Sequence, residues 1–268
     1  MKQRDLTDEQ WARLKPLLPP QKPRTGRKNL DHRRIINGIL WILRTGAPWD
    51  DLPRRYGKRG TVSSRYYRWR KAGIWDRIFA DLQAQADRDT NLDWTIHFVD
   101  STVIRAHQHA AGAKGSDPAT EALGRSQGGV ATKLNVRAEG QGKPMSFVLQ
   151  PGQAHESQAF EPLMARGAVR RAWRGRPRRR PRRVAGDKAY STRHIRQWLR
   201  RHGIGVTIPR KRNERRRGRF DKALYKLRAK VEHLINRLKQ FRRIATRYEK
   251  RAANYLGMVT IGAILLWL

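Results

Sequence analysis

The spacing of apolar residues changes near residue 90, and this change constrains the fold more than any other feature of the sequence. Residues 1–88 carry apolar residues at the 3.6-residue period of helices. From Trp94 onward, short β-like runs alternate with polar loops, and the acidic segment Asp87–Asp93 separates the two patterns. The sequence therefore predicts an all-helical domain over residues 1–88 and a mixed α/β domain over residues 94–268.

The helical region is predicted to contain four helices, at Thr7–Leu18, Asp31–Arg44, Thr61–Lys71 and Trp75–Ala86. A short element and turn, residues 49–57, lies between the second and third helices, which favours a helix-turn-helix-like domain. The third helix would then contact DNA. Its cations suit contacts with phosphates and bases, and they are Arg65, Arg68, Arg70 and Lys71. A small helical bundle whose arginines are only solvated is the alternative.

Five strands are predicted in the second region, at Thr95–Asp100, Val130–Ala138, Pro144–Gln150, Arg183–Ala185 and Gly205–Ile208. Helices are predicted at Glu156–Ala168, Thr192–His202 and, as one long helix, Phe220–Tyr248. This order, with a hairpin near its start, predicts a mixed five-stranded sheet flanked by helices. The last apolar run, Tyr255–Leu268, is shorter than the roughly 20 residues that span a bilayer, so it is predicted to be a core helix.

The charge of the chain indicates a polyanionic partner. Lys and Arg number 60 against 22 Asp and Glu, so the formal net charge is +38. Double-stranded DNA is the leading candidate, and an anionic membrane surface is the rival. No apolar export signal occupies the start of the chain, so we expect a cytoplasmic, nucleoid-associated protein without a membrane partner. Cysteine is absent, which excludes disulfides, thiolate zinc sites and thiol nucleophiles.

Two connecting runs are rich in arginine, residues 166–183 and residues 210–219. We expect both runs to lie beside the candidate site described next. Blocks of like charge are usually mobile segments that order on a partner, and disorder without a specific function is the alternative.

Three acidic residues are predicted to converge in this basic chain. Asp100 ends the first predicted strand and Asp187 follows the fourth, and parallel neighbouring strands would bring the two together. Glu232, on the long helix, could approach them. Three close carboxylates repel one another unless a divalent cation neutralises them, and oxygen ligands suit Mg²⁺ or Mn²⁺. Two such ions can support an in-line phosphoryl displacement, although any one of these acids could instead be a salt-bridge partner.

The helix that carries Glu232 also carries groups suited to phosphate. At about 100° per residue, Tyr225, Arg228, Glu232 and Lys239 fall within an arc of roughly 60°. The apolar residues of the segment cluster on a separate stripe of the same wheel. The helix is therefore predicted to bury one face and to present one acid and three phosphate-binding groups along another edge.

Four motifs carry a resemblance to a known family. They are Phe98-Val99-Asp100-Ser101-Thr102, the approach Gly128–Lys133, Gly186-Asp187-Lys188-Ala189-Tyr190, and Tyr225, Arg228, Glu232 and Lys239 in the spacing Y-(2)-R-(3)-E-(6)-K. The chain resembles the DDE transposases of the bacterial insertion-sequence "five" family, which is related to the "four" family. The resemblance covers the chain from about Leu6 onward, and the spacing of the last motif is highly specific.

The resemblance implies an RNase H-like catalytic domain with Asp100, Asp187 and Glu232 as the catalytic residues and the ligands of two Mg²⁺, for which Mn²⁺ can substitute. It implies cleavage at the terminal inverted repeats of an element and transfer of the freed 3′-OH to target DNA. The DNA-binding residues would be Tyr225, Arg228, Lys239 and Lys188. Because two ends must be paired, a homodimer on DNA is expected. Transesterification needs no ATP, and no P-loop sequence occurs.

Other interpretations stay open at this point. An RNase H-like nuclease or junction resolvase would cut without joining, and a domesticated transposase would only bind DNA. The 45 positions between Asp187 and Glu232 indicate a compact form, so a hairpin route with Trp198 or Trp173 as a stacking ring is left open.

Three further motifs are weaker. His107 and His109 could bind zinc but are more consistent with a loop pair near DNA or the site rim. Residues 124–128 match G-x-S-x-G without the helix that an esterase needs after it. His233, next to Glu232 but about 100° around the helix, is expected to be a packing or hydrogen-bonding residue.

Overall fold

The helical region begins the computed structural model, which describes residues 5–22, 30–111, 120–171, 175–212, 214 and 220–268. Its helices are α1 (Asp8–Leu14), α2 (His32–Thr45), α3 (Arg59–Lys71) and α4 (Ile74–Arg88). Thr7 caps α1, with its side chain accepting from the Gln10 N–H. Gly46 ends α2 in the left-handed conformation, at φ +72°, which glycine adopts without strain.

The connection between α2 and α3 differs from the predicted helix-turn-helix. It runs over residues 46–58 and contains two 3₁₀ turns, Trp49–Asp51 and Arg54–Tyr56, where that motif has a turn of about 3–4 residues. Two prolines, at positions 48 and 53, precede these turns and prevent a continuous helix. The region is therefore a helical array with a long α2–α3 connection.

The sheet contains seven strands within the described residues. They are β1 (His97–Ala106), β2 (Gly124–Ser126), β3 (Gly129–Ala138), β4 (Pro144–Pro151), β5 (Arg183–Ala185), β6 (Gly205–Thr207) and β7 (Thr246–Arg247). The five predicted strands lie in the order β4-β3-β1-β5-β6, with an antiparallel β4-β3-β1 part and a parallel β1-β5-β6 part. This is the RNase H-like arrangement. The two short additions are β2, which pairs with β3, and β7, which pairs with the end of β1.

The remaining helices are α5 (Phe160–Arg166), α6 (Arg193–Arg201), α7 (Lys222–Lys226), α8 (Ala229–Lys239), α9 (Arg242–Ala245) and α10 (Ala252–Trp267). The single long helix predicted over Phe220–Tyr248 is wrong. The chain turns at Leu227 and Arg228, turns again before α9, and then forms β7. Arg247 is fully buried and donates to the Glu121 carbonyl and the Thr132 hydroxyl, contacts that require the chain to leave the helix and join the sheet.

One apolar core joins the helical region to the sheet. It includes residues from both sides of the predicted boundary, such as Ile39, Tyr66, Leu238 and Ile264. The helix α10 runs through this core, and the Tyr66 hydroxyl donates to the Asn254 carbonyl at 2.5 Å. The core helix predicted at the end of the chain is thus confirmed. None of the helices in the described ranges has both the length and the apolar character needed to span a bilayer.

Candidate active site

The pairing of β1 with β5 brings Asp100 and Asp187 to the same level. The last parallel pair is Phe98 with Ala185, and each aspartate follows its member of that pair by two residues. Since side chains alternate along strands, both aspartates are expected on the face of Phe98 and Ala185, which is the face of the larger core. Gly186 allows the close approach, because a Cβ there would lie 2.9 Å from the Val99 side chain.

Asp100 lies inside β1, not at the end of a strand as the sequence predicts. The strand continues to Ala106 because its antiparallel pairing with β3 continues, from Phe98–Ala138 to Arg105–Ala131. On its other side, β1 loses its parallel neighbour after Phe98, where β5 ends. Asp100 therefore occupies the point where one edge of β1 becomes open to the helix α8.

Arg228 joins Glu232 to Asp100. Its guanidinium donates to Asp100 Oδ2 at 2.9 Å and to Glu232 Oε1 at 2.7 Å. Arg228 precedes α8 and Glu232 lies one turn further on, so the pair is set by helical spacing. The Asp100 and Arg228 side chains are largely buried, whereas that of Glu232 is half exposed. The prediction that Arg228 lies beside Glu232 is therefore confirmed, and its contact with Asp100 is a tertiary one.

The pKa of Asp100 is affected by both of the other predicted catalytic carboxylates. Burial raises the pKa of Asp100, the guanidinium of Arg228 opposes that rise, and Asp187 and Glu232 both add to it. Arg228 has the reverse balance: burial would lower its pKa, but the neighbouring carboxylates, Asp100 first, raise it. The cluster is thus an acidic site that already contains one positive group.

The donor chemistry of the cluster suits a hard divalent cation, since all three acids offer carboxylate oxygens. As these side chains stand, no three His, Cys, Asp or Glu residues of the described ranges are close enough to hold one metal ion. Arg228 supplies the positive charge between Asp100 and Glu232. The residues therefore fit Mg²⁺ or Mn²⁺ by chemistry, and holding an ion would require Arg228 to release at least one acid.

Tyr190 is a site residue that sequence reasoning used only as part of a motif. Its side chain is 0 % exposed, and its hydroxyl has no hydrogen-bond partner among the described residues. Burial raises the pKa of Tyr190 well above its usual value, and Asp100, Asp187 and Glu156 raise it further. A buried hydroxyl without a hydrogen-bond partner costs free energy, which makes Tyr190 a candidate for a role in the site.

Glu156 and Lys133 form a second ion pair next to the cluster. Lys133 Nζ lies 2.9 Å from Glu156 Oε1, and the Ser101 hydroxyl donates to the same oxygen at 3.1 Å. Ser101 follows Asp100 directly. Burial would raise the pKa of Glu156, but the hydrogen bonds from Lys133 and Ser101 help to lower it overall. This pair could not be predicted from the sequence, because Lys133 lies in β3 and Glu156 lies in a separate 3₁₀ turn after β4.

The other predicted phosphate-binding residues surround the cluster at different distances. Tyr225, at the end of α7, is partly exposed, and its ring lies 5.3 Å from that of Phe220. It is near enough to raise the pKa of Arg228. Lys188 is exposed directly after Asp187, and Lys239 ends α8, about 10 Å along the helix from Glu232 at 1.5 Å per residue.

The cations predicted on α3 divide by exposure. Arg65 is 4 % exposed, hydrogen-bonds His32 at 3.1 Å and lies over the Trp69 ring, so its predicted DNA contact does not fit its burial. Arg70 is partly buried against α10 at Gly257. Arg68 and Lys71 are exposed on the outer face of the helix. Only the last two are freely available to a DNA backbone.

The weaker motifs have ordinary structural roles. The rings of His107 and His109 lie 4.5 Å apart, and Tyr248 lies 5.2 Å from His107, in a loop pair and not a metal cluster of the described residues. Residues 124–128 form β2 and its turn to β3, so no esterase elbow exists there. Trp198 stacks on His202 within its own helix, and His233 is exposed. Trp173 lies outside the described residues.

The first arginine-rich run does not lie beside the site, which corrects the expectation. The run leads into β5 from its amino end, whereas Asp187 follows the carboxyl end of the same strand. Of the second run, residues 213 and 215–219 lie outside the described part. Its Glu214 accepts from the Ser191 hydroxyl at 2.7 Å, so this run approaches the side of the sheet that carries Asp187.

Comparisons with known proteins identify the class. The model "Transposase DDE domain" matches residues 95–268, and "Putative transposase of IS4/5 family" matches residues 6–79. The sheet and these matches define an RNase H-like transposase. The chain belongs to the DDE transposases of insertion sequences, which are metal-dependent enzymes of DNA cleavage and transfer.

Two individual relatives are similar to parts of the chain, and one of them is named as a transposase. "Uncharacterized protein y4sN" of Sinorhizobium fredii is 39 % identical over 109 residues, 41 % of this chain and 82 % of that protein. "Putative transposase for insertion sequence element IS402" of Burkholderia cepacia is 30 % identical over 135 residues, 50 % of this chain and 62 % of the relative.

A solved structure of piggyBac transposase in a synaptic complex with hairpin DNA has a TM-score of 0.45 and 12 % identity, and covers 97 % of this chain and 72 % of that one. This similarity is too remote to carry an argument. The fold assignment rests on the strand order and the family matches.

Proposed function

We propose that the chain binds the terminal inverted repeats of an insertion sequence, cleaves DNA at the element ends and joins the 3′-OH ends to target DNA. Asp100, Asp187 and Glu232 are its catalytic carboxylates. One observation carries the proposal: the register of β1 and β5 sets Asp100 level with Asp187, and Arg228 links Asp100 to Glu232. These contacts support a single site built from acids in three distant parts of the chain.

The same three carboxylates would hold two Mg²⁺ ions, with Mn²⁺ able to substitute. When bound, such ions supply Lewis-acid activation of the attacking oxygen and stabilise the leaving oxygen. The protein's own contribution is to hold Asp100 within β1 and Asp187 just after β5, the parallel neighbour of β1. Glu232, half exposed at the start of α8, is free to turn toward them.

Arg228 would change partner during the reaction cycle. Its guanidinium neutralises Asp100 and Glu232 in the free protein. When cations take over that role, the guanidinium can turn to a DNA phosphate, which it binds through two parallel hydrogen bonds. Tyr225, Lys188 and Lys239 would hold the backbone on either side of the cut.

The helical region would recognise the end sequence through the exposed face of α3. Arg68 and Lys71 are its available cations, and Tyr67, about one turn before Lys71, is also exposed. We keep the division into a DNA-binding region, residues 1–88, and a catalytic region, residues 94–268, although the two share a core. A homodimer would pair the two ends.

The direct test uses the DNA that flanks the gene. A duplex carrying its short inverted repeats should be cut in Mg²⁺ at the repeat boundary, and a duplex with scrambled repeats should not. Pre-cut ends should join to a target plasmid. Cleavage of branched DNA without any joining would instead support the rival nuclease or resolvase, and loss of joining and cleavage together would support a binding protein only.

A further inference from the structure

The first arginine-rich run contains residues 169–182, which precede β5 and are called the arginine loop below. Val169 and Arg178 exchange two backbone hydrogen bonds of 2.8 Å, which close the chain into a loop ahead of β5. Residues 172–174 of this loop lie outside the described part, and the features below come from its other residues. The loop is thus held by defined backbone contacts at its base.

Two side chains and one backbone hydrogen bond attach the loop to the protein body. Arg178 lies over the Trp94 ring at 4.6 Å and lies 3.6 Å from Asp87. Arg137, which is fully buried, donates to the Arg179 carbonyl at 2.8 Å from beneath. The Arg182 N–H donates to the Trp94 carbonyl at 2.8 Å. The buried Arg137 and the ring of Trp94 therefore hold this segment of backbone in place.

The remaining arginines point outward. Arg171, Arg176, Arg179, Arg180 and Arg182 are exposed, and within the described ranges none of them has an ion pair with a carboxylate. Four of them, Arg171, Arg176, Arg179 and Arg180, line a concavity of about 570 Å³ together with Pro177 and Arg178. Of these described lining arginines only Arg178 is paired with an acid, so the surface offers several guanidinium donors to a partner.

The loop lies away from the carboxylates. Arg182 is at the amino end of β5 and Asp187 follows its carboxyl end, about 16 Å further at roughly 3.3 Å per residue. A group bound at the loop therefore cannot be the phosphate that is cut. It can be another part of the same DNA, or a second duplex.

We propose that this arginine loop is a second DNA-binding surface, which holds the phosphate backbone of duplex DNA at a distance from the cleavage site. The proposal rests on DNA as the substrate, as set out above. The described lining consists of Pro177 and arginine guanidinium groups, which are suited to contacts with backbone phosphates. Backbone hydrogen bonds hold the base of the loop, so binding loses little entropy in ordering that part.

The test removes three charges from the loop in a protein that cannot cut. In an Asp187→Asn background, Arg176, Arg179 and Arg180 are changed to Gln, and affinity for a duplex of about 40 base pairs is measured over a salt series. Each lost phosphate contact lowers the log-log slope by about 0.9, so a decrease of about 2–3 is expected. The backbone bond at Arg179 uses its carbonyl and is preserved.

A matched control removes the same charge elsewhere. Arg125, Arg200 and Lys250 are exposed in residues 94–268, outside the loop and outside the residues proposed to contact DNA, and their change to Gln should leave the slope nearly unaltered. Equal slopes for the loop variant and this control would overturn the proposal. So would a loop variant that loses affinity for RNA of the same length and keeps its affinity for DNA.

Two further readouts separate this proposal from the proposed function. Changing the three arginines to Lys should restore much of the slope, since point charges still bind phosphate; no restoration would overturn a phosphate-binding role. In the active protein at saturating DNA, the Gln variant should cut at the parental rate. If the parent itself does not cut, the proposed function fails while the salt slopes still decide the role of the loop.

Discussion

Arginines near the two ends of β5 differ in whether they are paired with carboxylates. Beyond its carboxyl end, Arg228 is fixed between Asp100 and Glu232. At its amino end, Arg176, Arg179 and Arg180 are exposed, with no carboxylate partner among the described residues. The same side chain is therefore a counter-ion at one end and an open phosphate ligand at the other. The local acids, and not the overall charge of +38, decide which arginines DNA can reach.

A third group of arginines is buried, so the number of arginines alone does not predict how many can contact DNA. Arg137 and Arg247 are fully buried and bond mainly to backbone carbonyls, so they organise loops and strands without contacting a partner. Arg65 belongs with them. These buried arginines are not among the cations that can contact DNA.

The largest effect should come from the acidic end. Asp187→Asn removes a proposed metal ligand and no phosphate contact, so cleavage in Mg²⁺ should fall by at least about a thousandfold, or about 4 kcal/mol of transition-state stabilisation. DNA affinity should remain nearly unchanged in a filter-binding assay. The exposed Asp50→Asn is the matched control and should retain cleavage. Undiminished cleavage by Asp187→Asn would contradict the proposed role of Asp187 as a metal ligand.

Arg228→Gln tests whether this arginine differs from the exposed ones. We expect a loss of cleavage of about a hundredfold, because both its carboxylate and phosphate contacts disappear. Arg228 opposes the burial that raises the pKa of Asp100, so without it that pKa rises further. The acid limb of the pH profile for Mg²⁺ binding by the DNA-free protein should then move to higher pH.

Arg228→Lys keeps the positive charge and should move the limb less than the Gln variant does. A profile that stays in place in both variants would contradict the proposed coupling between Arg228 and Asp100.

Tyr190→Phe examines the buried hydroxyl next to the acids. Removing an unpartnered hydroxyl should leave the thermal unfolding midpoint equal or slightly higher. Cleavage should nevertheless fall by about tenfold, as for other groups that orient a metal site from behind its ligands. A clear fall in the unfolding midpoint with unchanged cleavage would mean that the hydroxyl forms a hydrogen bond in the folded protein and contributes to stability alone.

The smallest effect should come from the ion pair behind Asp100. Glu156→Gln should destabilise the protein by about 1–2 kcal/mol at pH 7, because Lys133 then lacks a counter-charge in a nearly buried position. The folded-state pKa of Glu156 is lowered, so its stabilisation is present above the ordinary carboxyl pKa and is lost as pH falls through the folded value. The stabilities of parent and variant should therefore begin to approach each other as pH falls below about 4.5 and should converge below the folded-state pKa.

A double-mutant cycle with Lys133→Met isolates the pair from other effects of each change. Denaturant unfolding at pH 7 and at pH 4 supplies the four stabilities at each pH. A coupling energy near zero at pH 7 would contradict the role given to this pair.

Much of the fold could be predicted because it depends on local pattern. The strand Arg183–Ala185 and the core helix at the end of the chain follow from short-range periodicity. The level position of Asp100 and Asp187 follows from parallel pairing, although the true length of β1 does not. Arg228 and Glu232 are neighbours because four residues make about one helical turn.

What could not be predicted depends on contacts between distant segments. Arg65 is buried because His32, on another helix, receives its hydrogen bond. The long helix ends early because Arg247 is bound by residues far away in sequence. The position of the arginine loop depends on the direction in which β5 runs, and composition contains no information about that direction.

The most direct test of the central claim maps the metal site without relying on catalysis. Fe²⁺ can replace Mg²⁺ at an oxygen-ligand site, and with ascorbate and peroxide it generates radicals that cut the nearby backbone. The protein free of DNA would be treated in this way, with and without excess Mg²⁺, and the fragments identified by mass spectrometry.

We expect cuts near Asp100, Asp187 and Glu232 that excess Mg²⁺ suppresses, and their loss in Asp187→Asn. Cuts centred instead on His107 and His109, or no Mg²⁺-sensitive cut near the three carboxylates, would contradict the claim that these acids form the metal site of a DNA-cutting enzyme.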